Sequence, residues 1–96
     1  MPLFVLTCID KPDSLAVRMA AREDHLAYVR DRPGVVQLGG PFLDGAGQMA
    51  GSLIIVEAAD LGTAKAFSAS DPYVLAGLFE SVDIRPFRIT IGGLTA

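Results

Sequence analysis

Hydrophobic and polar positions follow two different patterns along the first third of this 96-residue chain. Residues 3–9 (LFVLTCI) form a short apolar run that ends at the polar residues 10–13, which predicts a first strand. Asp13 or Ser14 is expected to cap the helix that follows, and Pro33-Gly34 end it. The apolar residues at helical spacing between these limits are Leu15, Met19, Leu26 and Val29.

The middle of the chain predicts a hairpin and a second helix. Residues 35–43 and 51–58 are apolar runs separated by residues 44–48, whose glycines suit the positive φ of a hairpin loop. We therefore expect these two strands to pair antiparallel. Asp60 is expected to cap a second helix. The apolar side of that helix carries Leu61, Ala64 and Phe67.

The last third begins with another helix start. Asp71-Pro72 combines a capping carboxylate with a proline at the first helical position, and Gly77 closes this short turn. Residues 79–91 are again extended in pattern, and Pro86 requires an edge strand or a bulge. The order β-α-β-β-α-β predicts one α+β domain over residues 1–96. It is the ferredoxin-like arrangement, with two helices on one face of a four-stranded antiparallel sheet.

The second face of that sheet predicts a homodimer. A sheet with one wet face should alternate apolar and polar residues, yet residues 3–6 and 53–56 are apolar at consecutive positions and therefore on both faces. We expect a second copy to lay its own sheet there, in a two-fold interface of at least ~1,600 Å² in total. The alternative is that the open sheet binds a different hydrophobic partner.

Composition narrows the classes of function. The mean hydropathy is +0.43, yet no apolar run reaches the ~18 residues of a membrane span, so we predict no membrane partner and assign the extra apolar surface to an interface. A net charge of −3 and the lack of a basic stripe argue against a nucleic-acid partner. Cys8 is the only cysteine and lies in a predicted buried strand, so we expect no internal disulfide and a cytoplasmic location.

One border of the first helix carries most of the candidate chemistry. At about 100° per residue, Arg18, Arg22 and His25 lie together beside the apolar stripe. We interpret Arg18 as a solvated flank whose long side chain covers the core edge, whereas Arg22 lies nearer the centre of the stripe. A lone histidine is more often structural than catalytic, but imidazole is the side chain that exchanges protons near neutral pH.

Two further positions have a structural and a functional interpretation. Asp71 is first of all a helix N-cap, and a second role requires one carboxylate oxygen to remain free of the cap. Gly39-Gly40-Pro41 is either a bulge or bend in the second strand or a place where a ligand approaches the backbone closely.

Several classes of site lack the residues they need. One histidine and one cysteine do not supply the usual zinc ligands, and no carboxylate cluster has EF-hand spacing. The nucleotide-binding glycine motifs and the serine-hydrolase elbow do not occur. We therefore predict neither a metal nor a cofactor.

Taken together, five segments resemble the YciI-like family over nearly the whole chain. They are residues 22–28, residues 39–44 with Gly47, residues 51–55, residues 70–73 with 76–79, and residues 82–87. The resemblance implies a dimeric α+β barrel of ferredoxin-like subunits. It implies an enzyme with a histidine and an aspartate in a pocket, which correspond to His25 and Asp71 here.

The activity that the resemblance implies is proton transfer without a cofactor. An enzymatic relative is a dehydrochlorinase acting on a chlorinated hydroxyquinol, and muconolactone isomerase shares the architecture. His25 is then the general acid/base, Asp71 orients it, and Arg22 holds an anionic oxygen of a small cyclic or aromatic substrate. Gly40, Pro41 and Ser70 are the other expected substrate contacts. The alternatives are a non-catalytic small-ligand-binding or interaction module, and a purely structural dimer.

Overall fold

Seven helices and strands form the part of the chain that the computed structural model describes, residues 1–93. In chain order they are β1 (Leu3–Asp10), α1 (Leu15–Arg30), β2 (Val36–Leu43), β3 (Met49–Glu57), α2 (Leu61–Ala69), α3 (Pro72–Leu75) and β4 (Phe79–Phe87). This order confirms the predicted βαββαβ arrangement, with α3 as the short turn that Asp71-Pro72 begins. The single domain over residues 1–96 stays a prediction.

The sheet is antiparallel throughout and has the strand order β2-β3-β1-β4. Leu6 at its centre lies opposite Ile54 on one side and Ile84 on the other. Pro86 lies on the edge strand β4, as its missing N–H requires. The predicted extension of this strand to residue 91 is wrong, because β1 begins at Leu3, opposite Phe87, and offers no partner beyond it.

The core lies between the helices and one face of the sheet. Phe4, Leu6 and Cys8 alternate along β1 and are at most 4% exposed, and Ile54 and Val56 extend the same layer on β3. Burying each large apolar side chain contributes about 1.5–3 kcal/mol, so this layer supplies much of the stability. The prediction that Cys8 lies in a buried strand is confirmed.

The opposite face of the sheet is also apolar. Val5 and Ile55 are paired at its centre, and the edge strands add Leu38 and Phe87, each 43% exposed. This face is where the predicted second copy would pack. The dimer itself stays a prediction.

The turns and caps follow the sequence signals with one exception. Asp44 Oδ1 accepts hydrogen bonds from the backbone N–H groups of Ala46 and Gln48, which closes the β2–β3 hairpin. Asp60 caps α2 by accepting a 2.7 Å hydrogen bond from Thr63 N. Ser14 occupies the N-cap position of α1, but its hydroxyl donates to Pro12 O and makes no capping bond.

Candidate functional site

A cavity of about 280 Å³ lies between α1 and the halves of β2 and β3 that α1 faces. Its polar lining residues are Arg18, Arg22, His25, Ser52 and Tyr73. Its apolar walls include Leu26 and Val29 from α1 and Ile54 from β3. An engineered apolar cavity of about 150 Å³ holds benzene, so this space has room for a substituted six-membered ring.

His25 lines this cavity and meets Asp71, which is 46 residues later in the sequence. His25 Nδ1 lies 2.9 Å from Asp71 Oδ1 and 3.0 Å from Oδ2. The two side chains are 13% and 4% exposed. His25 is on the third turn of α1, and Asp71 is the N-cap of α3. The packing of α1 against α3 therefore sets the distance between the two side chains.

The capping role of Asp71 leaves one oxygen free, as a second role requires. Oδ1 accepts a 2.9 Å hydrogen bond from Tyr73 N, whereas Oδ2 takes no part in the cap. A carboxylate only accepts hydrogen bonds, so a neutral His25 ring donates from Nδ1. Nε2 then has a free lone pair and is the nitrogen left for a ligand in the cavity that His25 lines.

Tyr73 supports the His25 ring from one side. The two rings are stacked with centroids 4.1 Å apart and planes 14° apart. The Arg18 guanidinium lies 4.7 Å from the Tyr73 centroid, and Phe79 meets the ring edge-on. Burial raises the pKa of the Tyr73 hydroxyl, although the positive charges of Arg18 and Arg22 oppose the shift. Sequence reasoning missed this residue as a site group; its only signal was its place after Asp71-Pro72.

The interpretation of Arg18 as a solvated flank is wrong. Arg18 is 2% exposed, and its Nε and Nη2 donate hydrogen bonds of 2.8 and 2.9 Å to the two carboxylate oxygens of Asp10. Nη2 also donates to Ser52 Oγ. Burial alone would lower the pKa of Arg18, but the hydrogen bond and charge of Asp10 outweigh it and raise the pKa. Met19, which the helical spacing assigns to the apolar stripe of α1, faces outward and is 51% exposed.

The other predicted substrate contacts divide into two groups. Arg22, Gly40 and Pro41 line the cavity, and Arg22 makes no ion pair within residues 1–93. Ser70 is apart from them: it ends α2 and lines a separate depression beside Tyr28. Ser70 and Asp71 are neighbours in sequence, but the turn between α2 and α3 directs the two to different surfaces.

The glycines of β2 do not form a bulge. Gly39, Gly40 and Pro41 pair in regular register with Ile54, Leu53 and Ser52, and the register shifts lie on either side of them. Gly40 pairs with Leu53, so a Cβ built on it points to the open face of the sheet, where it meets no atom within 4 Å. The backbone of Gly39 and Gly40 lines the cavity, and a close approach of a ligand to it stays a prediction.

Neither a metal cluster nor a membrane span is present within residues 1–93. No group of three or more His, Cys, Asp or Glu side chains is placed to hold an ion. No helix in this part of the chain is long and apolar enough to cross a bilayer.

Comparison with known families agrees with the fold and the motifs. A family model described as the YCII-related domain matches residues 2–88. The chain belongs to the YCII-related family. It is 37% identical over 94 residues to Protein YciI of Escherichia coli O6:H1, which covers 90% of this chain and 96% of that protein. An uncharacterised protein of Haemophilus influenzae is 32% identical over 93 residues, covering 88% and 95%.

Solved structures with this fold include an enzyme. 5-chloro-2-hydroxyhydroquinone dehydrochlorinase of Burkholderia phenoliruptrix, solved in complex with 2,5-dihydroxybenzoquinone, is 35% identical with a TM-score of 0.83. The match covers 90% of this chain and 93% of that one. An antibiotic biosynthesis monooxygenase matches at 11% identity and a TM-score of 0.59, over 95% of this chain and 100% of that one, which shows the shared fold alone.

Proposed function

We propose that this member of the YCII-related family is a cofactor-independent lyase or isomerase that moves a proton on a small cyclic or aromatic substrate. The observation that carries the proposal is the Asp71 carboxylate within 3.0 Å of His25 Nδ1 at the wall of a ring-sized cavity. The dehydrochlorinase relative supports the reaction class, because loss of HCl from a ring removes a proton and a chloride without a net transfer of electrons to an acceptor.

Each residue has a definite part in this proposal. His25 Nε2 accepts a proton from the substrate ring, and the Asp71 carboxylate stabilises the imidazolium that forms. Arg22 binds the anionic oxygen through which the ring is polarised. Leu26, Val29 and Ile54 shield the reacting atoms from water, which strengthens these charge interactions.

The assembly that we propose is a homodimer with facing sheets. The apolar face of the sheet that the helices leave open supports it, since Leu38 and Phe87 remain 43% exposed there. Large exposed apolar patches usually mark an interaction site, and a second copy would bury this one.

The test is solvent-deuterium incorporation, which reports proton transfer directly. 2,5-dihydroxybenzoquinone is incubated in D₂O with the protein, and loss of its ring C–H signal is followed by NMR. We expect exchange above the buffer rate, reduced about 10²- to 10⁴-fold in His25→Ala, the usual contribution of a general acid/base. Arg30→Ala, an exposed change in the last turn of the same helix, is the control and should leave the rate unchanged.

The same samples decide between an enzyme and a binding module. Saturable binding of 2,5-dihydroxybenzoquinone without exchange in the wild type would contradict catalysis and favour the non-catalytic alternative. In a second assay, chloride release from 5-chloro-2-hydroxyhydroquinone tests whether the substrate of the relative is accepted. Loss of this release in His25→Ala with the fold intact would assign the chemistry to that residue.

A further inference from the structure

We propose that the Tyr73 hydroxyl is a catalytic hydrogen-bond donor that, with Arg22, binds the ionised ring oxygen of the substrate while His25 moves the proton. The inference rests on the proposed function of the cavity and specifies its substrate class: ring compounds whose hydroxyl becomes a phenolate or enolate. The two donors would form the oxyanion site of the reaction.

The hydroxyl proton of Tyr73 is free for a ligand. Tyr73 is 3% exposed as a residue, and its hydroxyl interacts with the Arg18 guanidinium. A guanidinium only donates hydrogen bonds, so this contact leaves the O–H of Tyr73 without an acceptor. The space that Tyr73 lines is the cavity beside His25 and Arg22.

The second tyrosine of the chain shows the contrast. The Tyr28 hydroxyl donates a 2.7 Å hydrogen bond to Phe67 O and so has a structural role. Tyr28 lines a different depression, with Ser70. Of the two tyrosines, only Tyr73 offers its hydroxyl to the candidate site.

Three contacts fix the Tyr73 ring. His25 stacks on it at 4.1 Å, the Arg18 guanidinium lies 4.7 Å from its centroid, and Phe79 meets it edge-on at 5.9 Å. Arg18 is itself held by Asp10 and Ser52. A donor fixed before the substrate arrives needs no reorganisation when charge develops on the substrate oxygen.

The electrostatics keep this hydroxyl a donor. Burial raises the pKa of Tyr73 above its ordinary value, so the phenol holds its proton at neutral pH. The charge of Arg18 is compensated by Asp10, whereas Arg22 forms no ion pair within residues 1–93. No carboxylate lines the cavity itself in this part of the chain, and the Asp71 charge raises the pKa of Tyr73 in the same direction as burial does.

The experiment uses p-nitrophenol, a ring-sized phenol whose ionisation near neutral pH is visible in its absorption spectrum. The apparent pKa of the bound probe is measured with wild type, Tyr73→Phe and the control Tyr28→Phe. We expect wild type and Tyr28→Phe to lower the pKa of the probe, and Tyr73→Phe to weaken phenolate binding about 10-fold relative to the neutral phenol. An equal phenolate preference in Tyr73→Phe, or no binding of the probe to wild type, would overturn the proposal.

A second measurement in the wild-type protein needs no variant. With tyrosines labelled by ¹³C at Cζ, p-nitrophenolate should shift the Tyr73 resonance and leave Tyr28 unchanged. Movement of neither resonance on saturation with the probe would refute the contact.

The experiments distinguish a failure of the proposed Tyr73 contact from a failure of the proposed function. Deuterium exchange that requires His25, together with an unchanged phenolate preference in Tyr73→Phe, would remove Tyr73 and leave the proposed function standing. A phenolate preference lost in Tyr73→Phe without any exchange would support the oxyanion contact and refute proton transfer as the activity.

Discussion

Removing the positive charge of Arg18 should destabilise the protein far more than its position on a helix border suggests. Arg18 and Asp10 form a bidentate pair at 2.8 and 2.9 Å, and their side chains are 3% and 6% exposed. Arg18→Met keeps the length and the apolar stem of the side chain but leaves the Asp10 carboxylate buried without a partner. Breaking a buried pair in this way costs about 3–5 kcal/mol, a large part of the roughly 5–15 kcal/mol by which domains are stable.

The assay is equilibrium unfolding in urea at one fixed protein concentration, because assembly would make stability depend on concentration. Arg30→Met, the same change at an exposed position of the same helix, is the control and should stay within about 0.5 kcal/mol of wild type. The double variant Asp10→Asn/Arg18→Met should recover part of the loss, since no charge is left unpaired. A free energy of unfolding for Arg18→Met equal to that of Arg30→Met would refute the buried pair.

Three other predictions concern the core, the sheet and the open face. Burial raises the pKa of Cys8 to about 12, against 9.0 for a free thiol, so the native state keeps a proton that the unfolded chain loses. The free energy of unfolding should therefore fall as pH rises from about 9 to about 12, and it should fall less steeply in Cys8→Ala than in wild type. Parallel pH profiles of the two proteins would contradict this. Gly51→Ala places a Cβ 2.5 Å from Cys8 O and should lower the unfolding free energy by about 1–3 kcal/mol. Gly40→Ala, with open space around the new Cβ, is the control and should not lower it. Equal melting temperatures for the two variants would refute the register in which β3 pairs with β1. Leu38→Asp should convert the proposed dimer to a monomer of 10.1 kDa in sedimentation, while the similarly exposed Val17→Asp on α1 should remain dimeric; a wild-type monomer would contradict the dimer.

Much of the fold could be predicted because its signals are local. Hydrophobic patterns and turn residues locate each strand and helix, and Asp44, Asp60 and Asp71 make the caps and turns that their neighbours predict. The end of β4 was placed too late because a strand stops where its partner stops, and Pro86 to Ile91 carry no sign of where β1 begins.

The site was harder to predict because it depends on pairs that are distant in sequence. Helical periodicity puts Arg18 on a border, but its burial follows from Asp10, eight positions earlier, and from Ser52 on another strand. The free oxygen of Asp71 depends on the geometry of the cap, and the position of Tyr73 beside His25 depends on the packing of α3 against α1. Ser70 is an expected substrate contact that directly precedes Asp71, but the turn between α2 and α3 places it at a separate depression.

The pairing of His25 with Asp71 is the central claim, and the tautomer of the His25 ring tests it most directly. ¹⁵N NMR of the imidazole, at a pH where the ring is neutral, shows which nitrogen carries the proton in wild type and in Asp71→Asn, which keeps a capping side chain. We predict a proton on Nδ1 in wild type and a shift of the population to Nε2 in Asp71→Asn. The same tautomer populations in both proteins would show that the two side chains do not interact and would contradict the proposed proton-transfer pair.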